Sequence, residues 1–325
     1  MHPTEKIYVA GHRGLVGSAM VRALCREGYA NLVLRTHAEL DLTDGHAVAH
    51  FFSNERPDYV FLAAARVGGI LANNTYPADF IRVNLEIQTN VIHQSFAHGV
   101  KRLIFFGSSC IYPRGCPQPI REDYLLTGPL EPTNSAYATA KIAGIEMCRA
   151  YNQQHGTRFL AVMPTNLYGP VDNYDPHNSH VLPALIRKMH EAKLRGDPDV
   201  EIWGSGKPRR EFLHVDDLAE ACLLLASLDG ASYMKLLEER RHPLVNIGYG
   251  EDATITELAQ ITAEVIGFGG RLFYDPTKPD GTPRKLLDVS RMAALGWRPH
   301  ISLREGIEAT YADALSGGLL ESHSA

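Results

Sequence analysis

The sequence predicts an α/β protein: a doubly wound parallel sheet joined to a smaller α/β C-terminal lobe. Three observations carry this expectation. Short apolar runs alternate with helical patterning through the first half, a glycine-rich turn follows the first run, and the texture changes after Met163. Strands that alternate with helices pack as a parallel sheet with right-handed crossovers, so the arrangement is Rossmann-type.

The elements follow in order. Ile7–Ala10, Leu32–Leu34, Tyr59–Leu62, Leu103–Phe106 and Phe159–Met163 are expected as strands, and Leu15–Glu27, Gly45–Asn54, Ala78–His98 and Tyr137–Gln154 as helices. Pro164 to Pro183 mixes Pro, Asn, Asp and His without periodicity and predicts a long loop. Pro183–Leu194 reads as a helix, and Phe212–Val215 with Asp216–Leu225 as a further strand and helix that return to the first sheet. Thr254 with Glu257, and Ser302 with Glu305, are capping boxes that each open an amphipathic helix. Residues 1–165, returning at about 211–230, are expected to form the nucleotide-binding domain, with 166–210 and 231–325 as the substrate domain. The cleft between them is the expected binding place.

Composition narrows the class. A chain of 325 residues is long for one compact core, and its 45% hydrophobic and 21% charged residues are ordinary for a globular enzyme. A net charge of −5 argues against nucleic acid or a membrane surface as partner, so any anionic ligand must be met by local Arg and Lys. Cys25, Cys110, Cys116, Cys148 and Cys222 are irregularly spaced and predict neither a disulfide framework nor a zinc site. His177 and His180 lack a third ligand, so no metal is expected. The segment Met1–Lys6 has no signal-peptide character and no apolar run reaches transmembrane length, which makes the cytoplasm the expected compartment.

Gly11-His12-Arg13-Gly14-Leu15-Val16-Gly17 closes the first strand and opens the first helix. Glycines there allow a tight turn and close backbone approach to a pyrophosphate seated on the helix N-terminus. The GxxGxxG spacing is typical of short-chain dehydrogenase/reductase folds. The acid that would bind the ribose 2′-hydroxyl of NAD is missing, and the second strand ends in Leu34-Arg35-Thr36. Arg13 and Arg35 are placed to pair with a 2′-phosphate, so NADP(H) is the expected cofactor, although a solvated Arg35 would fit the sequence too. Asp41-Leu42 is placed to contact adenine, and Ala63–Ala65 either leaves room for the cofactor or is packing.

Ser108 follows the fourth strand, and Tyr137 and Lys141 share one helix face at i and i+4. Together they polarise a carbonyl for hydride transfer: Tyr137 supplies the proton, Lys141 is expected to lower the phenol pKa, and Ser108 shares the oxygen. Cys110, two residues beyond Ser108, adds a group that plain hydride transfer does not require.

Beyond these residues, the segments 107–113, Glu131-Pro132-Thr133-Asn134, Met163-Pro164-Thr165-Asn166-Leu167-Tyr168-Gly169-Pro170, Asn178-Ser179-His180-Val181, Trp203-Gly204-Ser205-Gly206 and 210–217 resemble the GDP-L-fucose synthase family of extended short-chain dehydrogenase/reductases. The resemblance runs from about Ile7 to Trp297. It implies NADPH-dependent 3,5-epimerisation and 4-reduction of GDP-4-keto-6-deoxy-mannose, with Cys110 as base and His180 as acid. It also implies cofactor contacts from Leu15, Val16, Tyr137, Lys141, Pro164, Asn166, Leu167 and His180. Substrate contacts come from Ser108, Arg187, Trp203, Arg210 and Lys285, with Arg209 competing for the diphosphate. By analogy, the Ala78–His98 and Tyr137–Gln154 helices would form a homodimer. Ser109-Cys110 stands where related 4,6-dehydratases carry an Asp–Glu pair, which counts against that chemistry. A GDP-colitose-forming enzyme could use the same residues, and a non-catalytic NADP-binding regulator would have no need of them.

Overall fold

The computed structural model describes residues 1–176, 179–278 and 280–320. Six parallel strands form the main sheet, in the order Leu244–Ile247, Phe159–Pro164, Arg102–Phe106, Tyr59–Leu62, Ile7–Ala10 and Leu32–Val33. Every residue of the four strands Ile7–Ala10, Tyr59–Leu62, Arg102–Phe106 and Phe159–Pro164 is buried, as a parallel sheet covered on both faces requires. Alternate side chains divide between two cores. Val9, Phe61, Ile104 and Val162 meet the helices Leu15–Arg26 and Val215–Ser227. Tyr8, Val60, Phe105 and Ala161 face Gly45–Glu55, Pro77–Ala97 and Ser135–His155.

The strand order turns back at Ile7–Ala10, which has Leu32–Val33 on one side and Tyr59–Leu62 on the other. Loops leaving the carboxyl ends of Ile7–Ala10 and Tyr59–Leu62 therefore diverge, and ligands of doubly wound sheets bind in that crevice.

Two expectations need correction. Phe212–His214 does not return to the main sheet; it pairs with Asn166–Tyr168 in a separate two-stranded ribbon, inside the stretch expected as loop. The sixth sheet strand is Leu244–Ile247, beside Phe159–Pro164. A short apolar run has no local mark of which sheet it joins, and both runs satisfy the same pattern. The helix after Phe212–His214 does return: Val215–Ser227 lies along Leu15–Arg26, linked by Arg22–Asp216 at 2.6 Å and Arg26–Glu220 at 2.7 Å. The helix expected from Pro183 starts earlier, at Val181, with His180 as its N-cap residue.

The smaller lobe gathers Val181–Arg195, Ile255–Ile266 and Leu303–Ser316 around Leu182, Ile186, Met189, Leu258 and Ile307. Both predicted capping boxes form, at Thr254 and Ser302. A three-stranded ladder of Ala253–Thr254, Arg209–Arg210 and Arg284–Lys285 completes it, with Lys285 in register with Arg210.

Candidate active site

The glycine-rich turn is built for close approach. Gly11 has φ +85°, and a Cβ on it would come within 2.7 Å of the Ala64 nitrogen across the crevice. A Cβ on Gly17 would lie 2.1 Å from the Gly11 carbonyl oxygen, so the turn closes only with glycine there. Gly14 is the N-cap residue of Leu15–Arg26, whose first turn has no acidic side chain and no side-chain cap. The Nδ1 of His12 inside the turn is buried without a hydrogen-bond partner. Free helix N–H groups and a floor of glycine backbone fit a pyrophosphate. Ala64 packs against the turn, which accounts for one of the three alanines, and Ala63 and Ala65 are half-buried beside it.

Where adenosine is expected, the structure is more specific than the sequence. Arg13 is exposed, whereas Arg35 donates to Glu55 Oε1 at 2.6 Å and to its own neighbour's Leu34 carbonyl at 2.8 Å. A 2′-phosphate at Arg35 would share the guanidinium with Glu55. Asp41 accepts from the Thr43 nitrogen at 2.9 Å and the Thr43 hydroxyl at 2.8 Å, and Leu42 is buried. Asn166, after the strand that ends at Pro164, donates through Nδ2 to the Glu211 carbonyl at 2.8 Å, with Leu167 half-buried next to it.

Four of the predicted catalytic side chains come together. Ser108 ends the extended backbone after Arg102–Phe106; its hydroxyl accepts from the Cys110 backbone nitrogen at 3.5 Å and acts on both the Tyr137 phenol and the Cys110 thiol, drawing the pKa of each downward. Lys141 is buried, donates to the Phe106 carbonyl at 2.8 Å, and has its ammonium 5.8 Å from the Tyr137 ring centroid. Burial draws Lys141 down to about 8, while the Cys110 sulfur opposes the change. Burial also raises Tyr137 and the Cys110 sulfur adds to the rise; only Ser108 acts in the lowering direction, so the lowering expected from Lys141 does not appear. Cys110 is raised by burial, against the pull of Lys285, the Ser108 hydrogen bond and Lys141.

Lys285, expected only as a substrate contact, is also tied to the thiol. It stands in electrostatic reach of Cys110, and burial lowers its own pKa, an effect that Cys110 opposes and Arg210 reinforces. The sequence offered no sign of this, because Lys285 reaches the site through strand pairing with Arg210.

The same ladder separates the two adjacent arginines. Arg209 donates to Asp252 Oδ1 at 2.6 Å and to the Asp252 carbonyl at 2.7 Å, and Arg284 meets the other oxygen of that carboxylate. Arg210 donates to backbone carbonyls of Arg209 and Thr282 instead, which leaves its charge uncompensated by any carboxylate at ion-pair distance among the described residues. Trp203 is 62% exposed, with the ammonium groups of Lys188 and Lys278 at 5.0 and 5.5 Å from its ring. It is a surface platform and not core. Arg187 is held by Glu191 at 2.7 Å and by the Tyr174 carbonyl at 2.9 Å. His180 is open to solvent yet walled by protein, and that crowding lowers its pKa. His177 and Asn178 lie outside the described residues.

Comparison with known proteins is consistent over nearly the whole chain. The profile of the NAD dependent epimerase/dehydratase family matches residues 7–233. GDP-L-fucose synthase 1 of Arabidopsis thaliana is 63% identical over 308 residues, covering 95% of this chain and 92% of that one. GDP-L-fucose synthase of Escherichia coli K12 is 54% identical, covering 94% and 95% of the two chains. The crystal structure of a GDP-L-fucose synthetase from Naegleria fowleri bound to NADP superposes with a TM-score of 0.86 at 27% identity, covering 98% of this chain and 96% of that one.

Proposed function

The chain belongs to the NAD dependent epimerase/dehydratase family, and on that premise we propose that it converts GDP-4-keto-6-deoxy-D-mannose to GDP-L-fucose by 3,5-epimerisation and NADPH-dependent 4-reduction. The observation that carries this is the shared hydroxyl of Ser108. It acts on both a buried thiol and the Tyr137 phenol, lowering the pKa of each, and so sets a carbon base beside a pair that polarises a carbonyl.

The turn 11–17 and the N-terminus of Leu15–Arg26 would hold the NADPH pyrophosphate, with Arg13 meeting the 2′-phosphate. When bound, NADPH supplies the hydride that reduces C4. Cys110, as thiolate, takes the proton from C3 or C5, which the 4-keto group acidifies by delocalising the carbanion. Lys285 and Lys141 favour the thiolate. Ser108 and Tyr137 donate to the developing enolate oxygen. His180 returns a proton on the opposite face. In the reduction Tyr137 gives its proton to the C4 oxygen; its raised pKa keeps the phenol protonated until then, and Lys141 stabilises the phenolate that remains. Arg210, Arg187 and Lys285 face the anionic GDP moiety, and the exposed Trp203 offers a stacking surface.

We assign residues 1–165, returning at about 211–230, to the NADP domain and the remainder to the GDP-sugar domain. The protein is assigned as a homodimer through Pro77–Ala97 and Ser135–His155, and to the cytoplasm. The free state of all five cysteines supports that compartment, and among the described residues no helix is long and apolar enough to cross a membrane.

The test is incubation with NADPH and GDP-4-keto-6-deoxy-D-mannose, with product configuration read by NMR. Inversion at C3 and C5 with reduction at C4 is expected. A reduced product that keeps the configuration of C3 and C5 would overturn the epimerase assignment.

A further inference from the structure

Glu211 is fully buried and forms no ion pair within 4 Å among the described residues. Its carboxylate is met by the protein's own donors: the Gly250 nitrogen to Oε1 at 2.7 Å and the Leu287 nitrogen to Oε2 at 3.0 Å. Space has been left for it. A Cβ on Gly248 would lie 2.2 Å from Oε1. Burying a carboxylate without a cation is costly, and an apolar group of similar size would hold the fold more cheaply.

The geometry accounts for that cost. Glu211 immediately follows Arg210, and Leu287 lies two residues beyond Lys285, so the bond to Leu287 extends the two-residue pairing of Arg210 with Lys285. The bond to Gly250 fastens the same point to the end of the sheet strand Leu244–Ile247. The Glu211 main-chain carbonyl accepts from Asn166 on the cofactor side, a contact independent of its carboxylate.

We infer that Glu211 is a positioning residue, whose carboxylate locks the Arg210–Lys285 pair against Cys110 by holding the Leu287 and Gly250 backbones. This rests on the reaction proposed above, in which Lys285 favours the Cys110 thiolate and Arg210 meets the diphosphate.

The experiment compares wild type with Glu211→Gln, whose amide must turn a donor toward one of these backbone N–H groups. Alkylation of Cys110 by iodoacetamide, followed by peptide mass spectrometry across pH, should show a midpoint displaced upward. KM for the GDP-sugar should rise at least about tenfold, since loss of placement near 1 Å is worth up to ~100-fold. NADPH affinity from fluorescence titration should stay within about twofold. If Glu211→Gln does not fold, Glu211→Asp, one methylene shorter with the charge kept, should give the same displacement and the same KM change. A variant that lowers Tm but leaves the alkylation midpoint and KM at wild-type values would overturn the inference. The alkylation arm uses no substrate, so it stands apart from the proposed reaction, which wild-type turnover alone decides.

Discussion

At the scale of single residues, the site is a balance between burial and a few ammonium groups. A buried thiol is a poor base, so the role proposed for Cys110 depends on Lys285 and Lys141. Cys110→Ser should therefore stop deuterium uptake at C3 and C5 in deuterated water, read by NMR of recovered substrate, while leaving NADPH binding intact; exchange at the wild-type rate would remove Cys110 from the role of base. Lys141 carries a second consequence. With its pKa at about 8 it is charged at neutral pH and neutral above, so kcat/KM for reduction should fall as pH rises through about 8. The stability effect has the opposite sense. A buried lysine whose folded pKa lies below its unfolded value destabilises the fold while it is charged, and that cost fades as pH climbs from about 8 towards 10.5. Lys141→Met should thus raise Tm at pH 7 while lowering activity, with the gain shrinking above pH 8, a pairing that thermal melts across pH would check.

Among the elements, the first strand, turn and helix act as one device. The glycines are required by distances and not by flexibility alone, and Gly17 is the tightest. Gly17→Ala should force the turn open and weaken NADPH binding by about tenfold or more, equal to about 1.4 kcal/mol, in a fluorescence titration. Unchanged affinity would mean that the turn does not hold the pyrophosphate. The two-residue ladder strands show the opposite dependence. Arg209–Arg210 and Arg284–Lys285 are too short to be legible as strands, yet they decide that Arg209 is neutralised by Asp252 while Arg210 is left for an anion.

For the whole molecule, the main sheet and the smaller lobe meet around Glu211, and the helices Pro77–Ala97 and Ser135–His155 pack side by side on one outer face. Thr89 and Ala150 are exposed on that face. Light scattering should give twice the chain mass for the wild type, and the double variant Thr89→Arg with Ala150→Arg should halve it. A variant that keeps the dimer mass would place the interface elsewhere.

The sequence by itself determined the sheet strands Ile7–Ala10 to Phe159–Pro164, the cofactor turn, both capping boxes and the Ser108, Cys110, Tyr137 and Lys141 set. Each strand, turn and capping box is written in spacing within one element, where chain geometry alone fixes which side chains share a face. Ser108 and Cys110 at a strand end, and Tyr137 and Lys141 on one helix face, are legible in the same way, while folding brings the two pairs together. Tertiary structure decided the rest: Leu244–Ile247 and not Phe212–His214 as the sixth strand, Arg35 tied to Glu55, Lys285 beside Cys110, and a buried Glu211 between the lobes. Those outcomes depend on which distant segments pair and on how far burial outweighs charge, and neither quantity has a local pattern in the chain.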